Sequence, residues 1–569
     1  MVEILNRFGP LSSLRYSSPV GDERTDHPIC LARSVRVDAK RGSGLLVLIL
    51  MVAHAAKKRL LSNVNHHTLL VTARRTWTCS GRRSAASATR EECRHKYRVL
   101  AIETSCDDTS VALVTAKKFR GTGEGQKRGP KWALESHYHE RLTANNEAHR
   151  GIHPLVALES HRANTAPLVK QALKVLQEAE WGKVSGDHGR LDFVAVTRGP
   201  GMRSNLSVGI DTAKGIAAAL DIPLVGVHHM QAHALTPRLM TAVANAEESQ
   251  KHESCTGAKE EKMTCLKPAF PFLTLLVSGG HTMLLDSRGL NEHRLLAETG
   301  DIAVGQFLDK AARAILLPEL LEAPYGRALE DFAFQTTGDY GSTSASRDQR
   351  TIEDPAIPAY TEPCQARYGY SPPQTQQDLM KRHDGPWGWS LSPPLVERAG
   401  GESKRMAYSF AGLLTFVERL VTQRAADTGE VTLAERRALA QEVQRVAFEH
   451  LASRIMLYLT SRQAADWKGD TIVVSGGVAA NKFLRHVLRS ILDARGLRHI
   501  KLAFPPIELS TDNALMIAWA GIEMYDAGWR SSLDIGPIRK WSLDPTAPDG
   551  GILGAPGWVN EERSHDDGE

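Results

Sequence analysis

Short apolar runs alternate with polar turns along the chain from about residue 97 to residue 543. Residues 98–114 have the pattern of two strands joined by a tight polar turn, which is typical of a β-hairpin. Residues 191–197 predict a buried strand, and the apolar spacing of residues 204–220 predicts a helix after it. Because strand and helix continue to alternate, the pattern predicts an α/β fold.

The second half has a related pattern. Residues 272–285 predict another hairpin, whose turn is Ser-Gly-Gly, and helices are expected at 301–317, 406–426 and 433–460. A hairpin and a glycine turn thus occur once in each half. The expected division is a first lobe at 97–240, a linker or insertion at 241–268, a second lobe at 269–509 with a flexible insertion at 336–389, a C-terminal helix at 510–543 returning to the first lobe, and a disordered tail at 544–569.

The positive charge is concentrated near the N-terminus. The chain has a net charge of +5, but residues 1–98 contain 18 Lys and Arg against 7 Asp and Glu, so that segment carries +11 and the rest −6. Residues 51–90 contain no acidic residue, which is typical of a mitochondrial transit peptide, although a disordered basic arm has the same composition. We expect residues 1–96 to be a disordered targeting leader. The apolar run at 44–56 is too short to span a bilayer.

The cysteines argue against two other classes of protein. The seven cysteines form no Cys-x-x-Cys pair and have no regular spacing. This pattern disfavours both a zinc ribbon and a disulfide scaffold, and it suits a reducing compartment.

Candidate chemistry starts with two histidines after the apolar run at 223–227. His229 and His233 lie four residues apart and share one face if a helix follows, so they could bind one metal ion. The spacing alone is weak, since two surface histidines on a helix are commoner than two ligands. Three further features strengthen the prediction of a metal site. They are two Gly-Gly turns after apolar strands, at 279–280 and 476–477, and Asp512 at a helix start. Together they predict a nucleotide-binding cleft that contains a metal.

Six ordered motifs resemble the tRNA threonylcarbamoyltransferase family, the TsaD-like proteins, over residues 98 to about 543. They are Glu-Thr-Ser-Cys-Asp at 103–107, Val-His-His-Met-x-x-His at 227–233, Leu-Val-Ser-Gly-Gly-His-Thr at 276–282, Phe-Leu-Asp-Lys at 307–310, Ser-Gly-Gly-Val-Ala-Ala-Asn at 475–481, and Ser-Thr-Asp-Asn-Ala at 510–514. The resemblance implies an actin-like ATPase (ASKHA) fold of two lobes with the active site between them. It also implies transfer of a threonylcarbamoyl group from threonylcarbamoyl-adenylate to the N6 amine of adenosine 37 in tRNAs reading codons that start with A.

The resemblance also implies roles for single residues. His229, His233 and Asp512 would bind one divalent metal ion, and their chemistry suits zinc or iron better than magnesium. Apart from the resemblance, the chemistry makes Asp107 the candidate catalytic residue, for orienting the amine or adjusting a metal-bound water, with Glu103 as its alternative. The residues that would hold the adenylate are Ser278, Gly279, Gly280, Asp309, Gly326 and Asn481.

The basic leader points to the mitochondrial branch of this family. That branch implies a matrix location, a tRNA substrate, a homodimer, no membrane association and a separate synthase that supplies the adenylate. Four positions depart from the family pattern: Asp108, Ile302, Gln306 and the Tyr325–Gly326 pair.

Three alternatives remain at this point. A zinc peptidase needs a glutamate directly after the first histidine as its general base, and here that position is Met230. A small-molecule kinase of the same fold class would use similar phosphate turns but needs no paired histidines. A catalytically silent scaffold of a tRNA-modifying assembly is disfavoured by the intact ligand residues.

Overall fold

A computed structural model describes residues 93–119, 131–146, 149, 151–178, 190–254, 263–334, 368–396 and 404–560. Two mixed β-sheets organise this part of the chain, one in each lobe. The strands are β1 (Cys93–Glu103), β2 (Asp108–Phe119), β3 (Lys131–Thr143), β4 (Phe193–Gly199), β5 (Leu224–His228), β6 (Phe272–Val277), β7 (Thr282–Ser287), β8 (His293–Glu298), β9 (His383–Asp384), β10 (Ser390–Leu391), β11 (Thr471–Ser475), β12 (Lys501–Ala503), β13 (Trp529–Ser531) and β14 (Trp558–Asn560).

Helices cover the sheets and connect their strands. They are α1 (Pro154–Glu178), α2 (Arg203–Leu220), α3 (His229–Ser254), α4 (Val304–Ile315), α5 (Tyr325–Phe334), α6 (Ala411–Thr428), α7 (Leu433–Leu459), α8 (Lys482–Ala494), α9 (Ile507–Ser510), α10 (Ala514–Asp526) and α11 (Gly551–Gly554). No helix in the described ranges is both long and apolar enough to cross a membrane.

The two sheets share one topology. The first contains the order β3-β2-β1-β4-β5 and the second the order β8-β7-β6-β11-β12. In each, the first three strands are antiparallel, and the last two run parallel to the central strand. Ligands of such sheets bind outside the carboxyl ends of the parallel strands. The glycine turns and the histidine motif follow those ends, so the topology brings them to one cleft.

Three apolar clusters hold the layers together. One packs α1 and α2 on one face of the first sheet, and another packs α4 to α8 on the second sheet. The third contains side chains of both sheets together with α3 and α10, and α3 contacts strands of both. The lobes therefore share an apolar layer, and the histidine helix α3 lies within it.

The expected linker at 241–268 is wrong for its first part, because α3 continues to Ser254. Leu239, Ala242 and Ala246 are buried at helical spacing, and the polar residues of this segment occupy the other face of the helix. The Asn245 amide donates to the carbonyl oxygens of Trp132 and Thr264, at 2.8 and 2.9 Å. The polar composition reflects a half-exposed helix and not a loop.

Two further boundaries need correction. The segment 368–389 belonged to the expected insertion, but Tyr368, Tyr370, Leu379 and Trp389 are part of the second lobe's apolar core. The expected tail forms α11 and β14, and β14 pairs with β13 at the sheet edge. In both cases the segment has the polar composition of a loop, so the sequence did not indicate these buried contacts. The first strand begins at Cys93, inside the expected leader, and residues 1–92, 335–367 and 561–569 lie outside the described residues.

Candidate metal centre and nucleotide pocket

The candidate metal centre lies where α3 begins. His229 is the first residue of this helix, directly after β5, and His233 follows one turn later. Asp512 lies between α9 and α10. Its position is fixed by Asn513, whose side-chain oxygen accepts from the N–H of Met516 at 3.0 Å and caps α10.

The three side chains converge on one point. Nε2 of His229 lies 3.2 Å from Oδ1 of Asp512, and Nε2 of His233 lies 3.1 Å from the same oxygen. One ligand atom from each residue lies within 4.8 Å of the others. Both histidines are buried and Asp512 is partly exposed, so the group is open on one side only. Two imidazoles and a carboxylate at this spacing are a donor set for a divalent cation.

The electrostatics of the centre favour positive charge. Burial by itself lowers the pKa of His229, but the carboxylates of Asp512 and Glu103 outweigh it and raise that pKa to about 10. Burial by itself raises the pKa of Asp512, but His229 and His233 hold it well below its usual range. Without a cation, a proton on His229 supplies the positive charge. A metal ion that displaces this proton keeps a positive charge beside the carboxylates, so the donor set fits a metal.

Glu103, the alternative candidate for the catalytic residue, lies against His229. Its side chain is fully buried, and Oε2 lies 3.2 Å from Nδ1 of His229. Oε2 also accepts from the hydroxyl of Thr197, and Oε1 accepts from the N–H of Ser105 at 2.5 Å. Both carboxylate oxygens of Glu103 therefore have protein partners. Glu103 fixes the tautomer of His229 that leaves Nε2 free to bind a metal.

Asp107 lies in the turn between β1 and β2 and is partly exposed. Burial raises its pKa, and its Oδ2 accepts from the Asn146 amide at 3.2 Å. Its neighbour Asp108 accepts from Thr143 and has a pKa raised to about 6, mainly by burial. Asp107 is thus partly exposed, whereas Glu103 is fully buried, and the negative charge of Asp512 also raises the pKa of Asp107.

His161, to which no motif assigns a role, fixes the same turn. It is fully buried, its Nε2 lies 3.0 Å from the Cys106 carbonyl oxygen, and its Nδ1 lies 2.8 Å from the Thr109 hydroxyl. The Asn205 amide donates to the same carbonyl at 2.7 Å. The turn that carries Asp107 is therefore held from two helices.

A cavity of about 500 Å³ adjoins the metal centre. It lies between the two glycine turns, α4, α5 and the start of α8, and it extends to Ser510 and Thr511, next to Asp512. Among the residues expected to hold an adenylate, four line it: Gly279, Asp309, Gly326 and Asn481. Its size is in the usual range for a small-molecule site.

The other two expected adenylate residues do not line this cavity. The Ser278 hydroxyl accepts from the N–H of His281 at 3.0 Å, which shapes the first glycine turn. Gly280 is exposed in that turn. The side chain of Asn481 is also occupied, since it caps α8 through the N–H of Leu484 and donates to Gln444 at 3.1 Å. Asn481 therefore shapes the cavity wall.

Three residues near the site carried no expectation from the sequence. Glu330 lines the cavity, and its Oε1 accepts from the N–H groups of Lys482 and Phe483 at the start of α8. His281 follows the first glycine turn; burial and the positive charge of His229 lower its pKa to about 4. Arg141 of β3 donates to Thr511 at the cavity wall. A single sequence could indicate only His281, because the other two come from segments without a motif.

Met230 stands at the position where a zinc peptidase has its base. Its side chain is 3% exposed and belongs to the apolar cluster shared by the lobes. It cannot accept a proton and it does not face the cleft.

Comparisons with known proteins show which family this chain resembles. The family model for TsaD, tRNA N6-adenosine threonylcarbamoyltransferase, matches residues 135–247 and 254–519. The mitochondrial tRNA N6-adenosine threonylcarbamoyltransferase of Schizosaccharomyces pombe is 32% identical over 468 residues, which cover 82% of this chain and 89% of that protein. A tRNA N6-adenosine threonylcarbamoyltransferase of Cereibacter sphaeroides is 32% identical over 449 residues, 79% of this chain and 95% of its own length.

These matches confirm the expected actin-like ATPase fold, and they do not support the kinase, peptidase or scaffold alternatives. The chain belongs to the tRNA N6-adenosine threonylcarbamoyltransferase family.

Proposed function

We propose that this chain transfers a threonylcarbamoyl group from threonylcarbamoyl-adenylate to the N6 amine of adenosine 37 in mitochondrial tRNAs that read codons starting with A. Family membership makes the chain a tRNA-modifying transferase. One observation carries the assignment of the adenylate as the donor. The cavity between the glycine turns runs to Thr511, next to the proposed metal ligand Asp512. An adenylate in this cavity would place its acyl phosphate end at the metal centre.

His229, His233 and Asp512 would hold one divalent ion, zinc or iron. When bound, the ion supplies Lewis-acid polarisation of a phosphate or carbamoyl oxygen. Glu103 keeps the His229 ring in position through its 3.2 Å contact with Nδ1. The glycine turns let backbone N–H groups approach the phosphates, since no Cβ intervenes at Gly279 or Gly477.

The transfer forms a bond between the adenosine N6 and the carbamoyl carbon and breaks the bond from that carbon to the phosphate oxygen. AMP leaves with the bonding electrons, and the amine loses one proton. Asp107 is the base that accepts this proton, because its carboxylate is partly exposed in the β1–β2 turn and lies near that of Asp512. The amine is a weak nucleophile, so positioning contributes most, on the order of 7–11 kcal/mol when orientation is well set.

The partners and the location belong to the same proposal. The donor comes from a separate synthase, the active form is a homodimer, and the enzyme works in the mitochondrial matrix without binding a membrane. The mitochondrial relative and the basic composition of residues 51–90 support the location. The synthase and the homodimer rest on the family resemblance.

The test combines metal content with product analysis. Wild-type protein, His229→Ala and His499→Ala are incubated with threonine, bicarbonate, ATP, an adenylate-forming synthase and unmodified tRNA, and the tRNA nucleosides are then analysed. Wild type is expected to form threonylcarbamoyladenosine and to retain about one metal ion per chain. His229→Ala is expected to lose the metal and at least 100-fold in rate, roughly the effect of losing a group that acts on the reacting atoms.

His499 is the matched control because it is an exposed histidine in the loop before β12, away from the cleft. Its substitution is expected to change neither metal content nor rate. Full activity of the metal-free His229→Ala protein would contradict the proposed role of the metal centre, and absence of product from the wild type would contradict the reaction.

A further inference from the structure

The loop after β4 lies against a late segment of the chain. The N–H of Ile538 donates to the Arg198 carbonyl at 2.9 Å, and the N–H of Gly201 donates to the Arg539 carbonyl at 3.4 Å. A Cβ on Gly199 would lie 2.1 Å from the Ile538 carbonyl oxygen, so only glycine permits this approach. These contacts bring Arg203, at the start of α2, close to Arg539 and Lys540, more than 330 positions later in the sequence.

The same loop touches the turn that carries the proposed catalytic residue. The N–H of Met202 donates to the Ser105 carbonyl at 2.9 Å, and the Ser105 hydroxyl lies 3.3 Å from Nδ1 of His229. A Cβ on Gly201 would lie 2.7 Å from the Ser105 carbonyl oxygen. The basic residues are thus one backbone contact from the turn between β1 and β2, at the edge of the sheet where the metal centre lies.

The charges of this patch are uncompensated. Arg203, Arg539 and Lys540 are exposed, and no side chain in the described ranges forms an ion pair or a hydrogen bond with any of their charged groups. The site beside them contains the partly exposed carboxylates of Asp107 and Asp512, which are close enough for their charges to interact. Acidic groups repel a nucleic acid, so a polyanionic substrate needs cations at the rim of such a cleft. Arg203, Arg539 and Lys540 provide such cations.

We propose that Arg203, Arg539 and Lys540 form a docking surface for the backbone phosphates of the tRNA anticodon stem-loop. This inference rests on the proposed function, because it assumes that a tRNA adenosine enters the cleft. Phosphate contacts fix the register and orientation of a bound nucleic acid without reading its sequence. The surface positions the anticodon loop so that one adenosine reaches the metal centre.

The proposal makes a quantitative expectation for salt dependence. Each phosphate neutralised by a cation contributes about 0.7–0.9 to the slope of log affinity against log salt concentration. Replacing all three residues by alanine is therefore expected to lower the slope by about 2–3. At physiological salt this corresponds to a roughly 10- to 100-fold weaker Kd.

The test uses the full chain with unmodified tRNA. Fluorescence anisotropy measures the Kd at several salt concentrations, and the transfer assay measures kcat and KM for tRNA. The variants are Arg539→Ala/Lys540→Ala and the triple variant that adds Arg203→Ala. We expect a graded rise in Kd and KM, a kcat within about threefold of wild type, and an unchanged Kd for AMP as the probe of the cavity.

Lys468→Ala/Arg498→Ala is the matched control. Both residues are exposed cations without a partner in the described ranges, and they precede β11 and β12, at the opposite edge of the second sheet from the cleft. We expect wild-type tRNA affinity for this variant. Equal losses in the control and the triple variant, or an unchanged salt slope in the triple variant, would overturn the docking surface. The wild-type product measured beforehand tests the proposed function separately.

Discussion

At the scale of single residues, Glu103 and Asp107 show how burial separates two acids of one motif. The sequence placed both in a polar turn and could not distinguish their roles. The structure places Glu103 at the end of β1 with no exposed surface, and it places Asp107 in the turn, partly exposed. Because Glu103 is buried and hydrogen-bonded, we assign it a positioning role. Because Asp107 is partly exposed, it is the candidate base.

Glu103→Gln tests the positioning role. Only the oxygen of a glutamine side chain can accept a hydrogen bond. Its NH2 group would therefore face either the Ser105 N–H or the His229 Nδ1. In the second case His229 would carry its proton on Nε2 and could not bind the metal. We expect a metal affinity roughly 10- to 100-fold weaker, measured by metal titration.

The control for this variant is Glu508→Gln, since Glu508 is exposed in α9 and no described side chain depends on it. If Glu103→Gln lowered the melting temperature but left metal affinity at the wild-type value, Glu103 would have only a structural role. We expect wild-type metal affinity for Glu508→Gln. That result would show that losing one negative charge near the cleft is not sufficient to weaken metal binding.

At the scale of elements, the two glycines of the second phosphate turn have different tasks. Gly476 has a φ of +101°, and a Cβ there would lie 2.4 Å from the Val277 carbonyl oxygen. Gly477 lines the cavity, and a Cβ there would meet nothing within 4 Å. The first glycine lets the ends of β6 and β11 approach each other. The second leaves room for a ligand.

The pair Gly476→Ala and Gly477→Ala separates these tasks. Gly476→Ala is expected to lower the free energy of unfolding by about 1–3 kcal/mol, because it combines a left-handed φ with a backbone clash. Gly477→Ala is expected to leave that free energy within about 0.5 kcal/mol and to weaken AMP binding.

Urea unfolding and AMP titration measure the two effects, and each variant is the control for the other. A stability loss in Gly477→Ala equal to that in Gly476→Ala would show that the clash is relieved by local movement and that our division of roles is wrong.

At the scale of the whole molecule, the proposed metal joins distant parts of the chain. His229 and His233 belong to α3, which lies in the apolar layer between the sheets, while Asp512 precedes α10 near the end of the chain. A metal that binds the folded chain but not the unfolded one stabilises the fold in proportion to the logarithm of its excess over Kd.

Chelation is therefore expected to lower the melting temperature. At a free metal concentration 100 times Kd, bound metal stabilises the fold by about 2.7 kcal/mol. Thermal scans with and without chelator measure the shift in the wild type and in Asp512→Ala. The variant is expected to melt at one temperature in both conditions. An equal chelator effect in both proteins would mean that the stabilising metal binds elsewhere.

The sequence by itself determined the alternation of strands and helices, the position of the histidine pair and of Asp512, and both glycine turns, because each depends on residues close together in the chain. It misjudged residues 241–254, 368–389 and 544–560, whose polar composition resembles that of loops although one face of each is buried. Only the tertiary structure could show this, since burial depends on which distant segment packs against a residue. The different roles of Glu103 and Asp107, and the meeting of Arg203 with Arg539 and Lys540, were decided in the same way by contacts across distant parts of the chain.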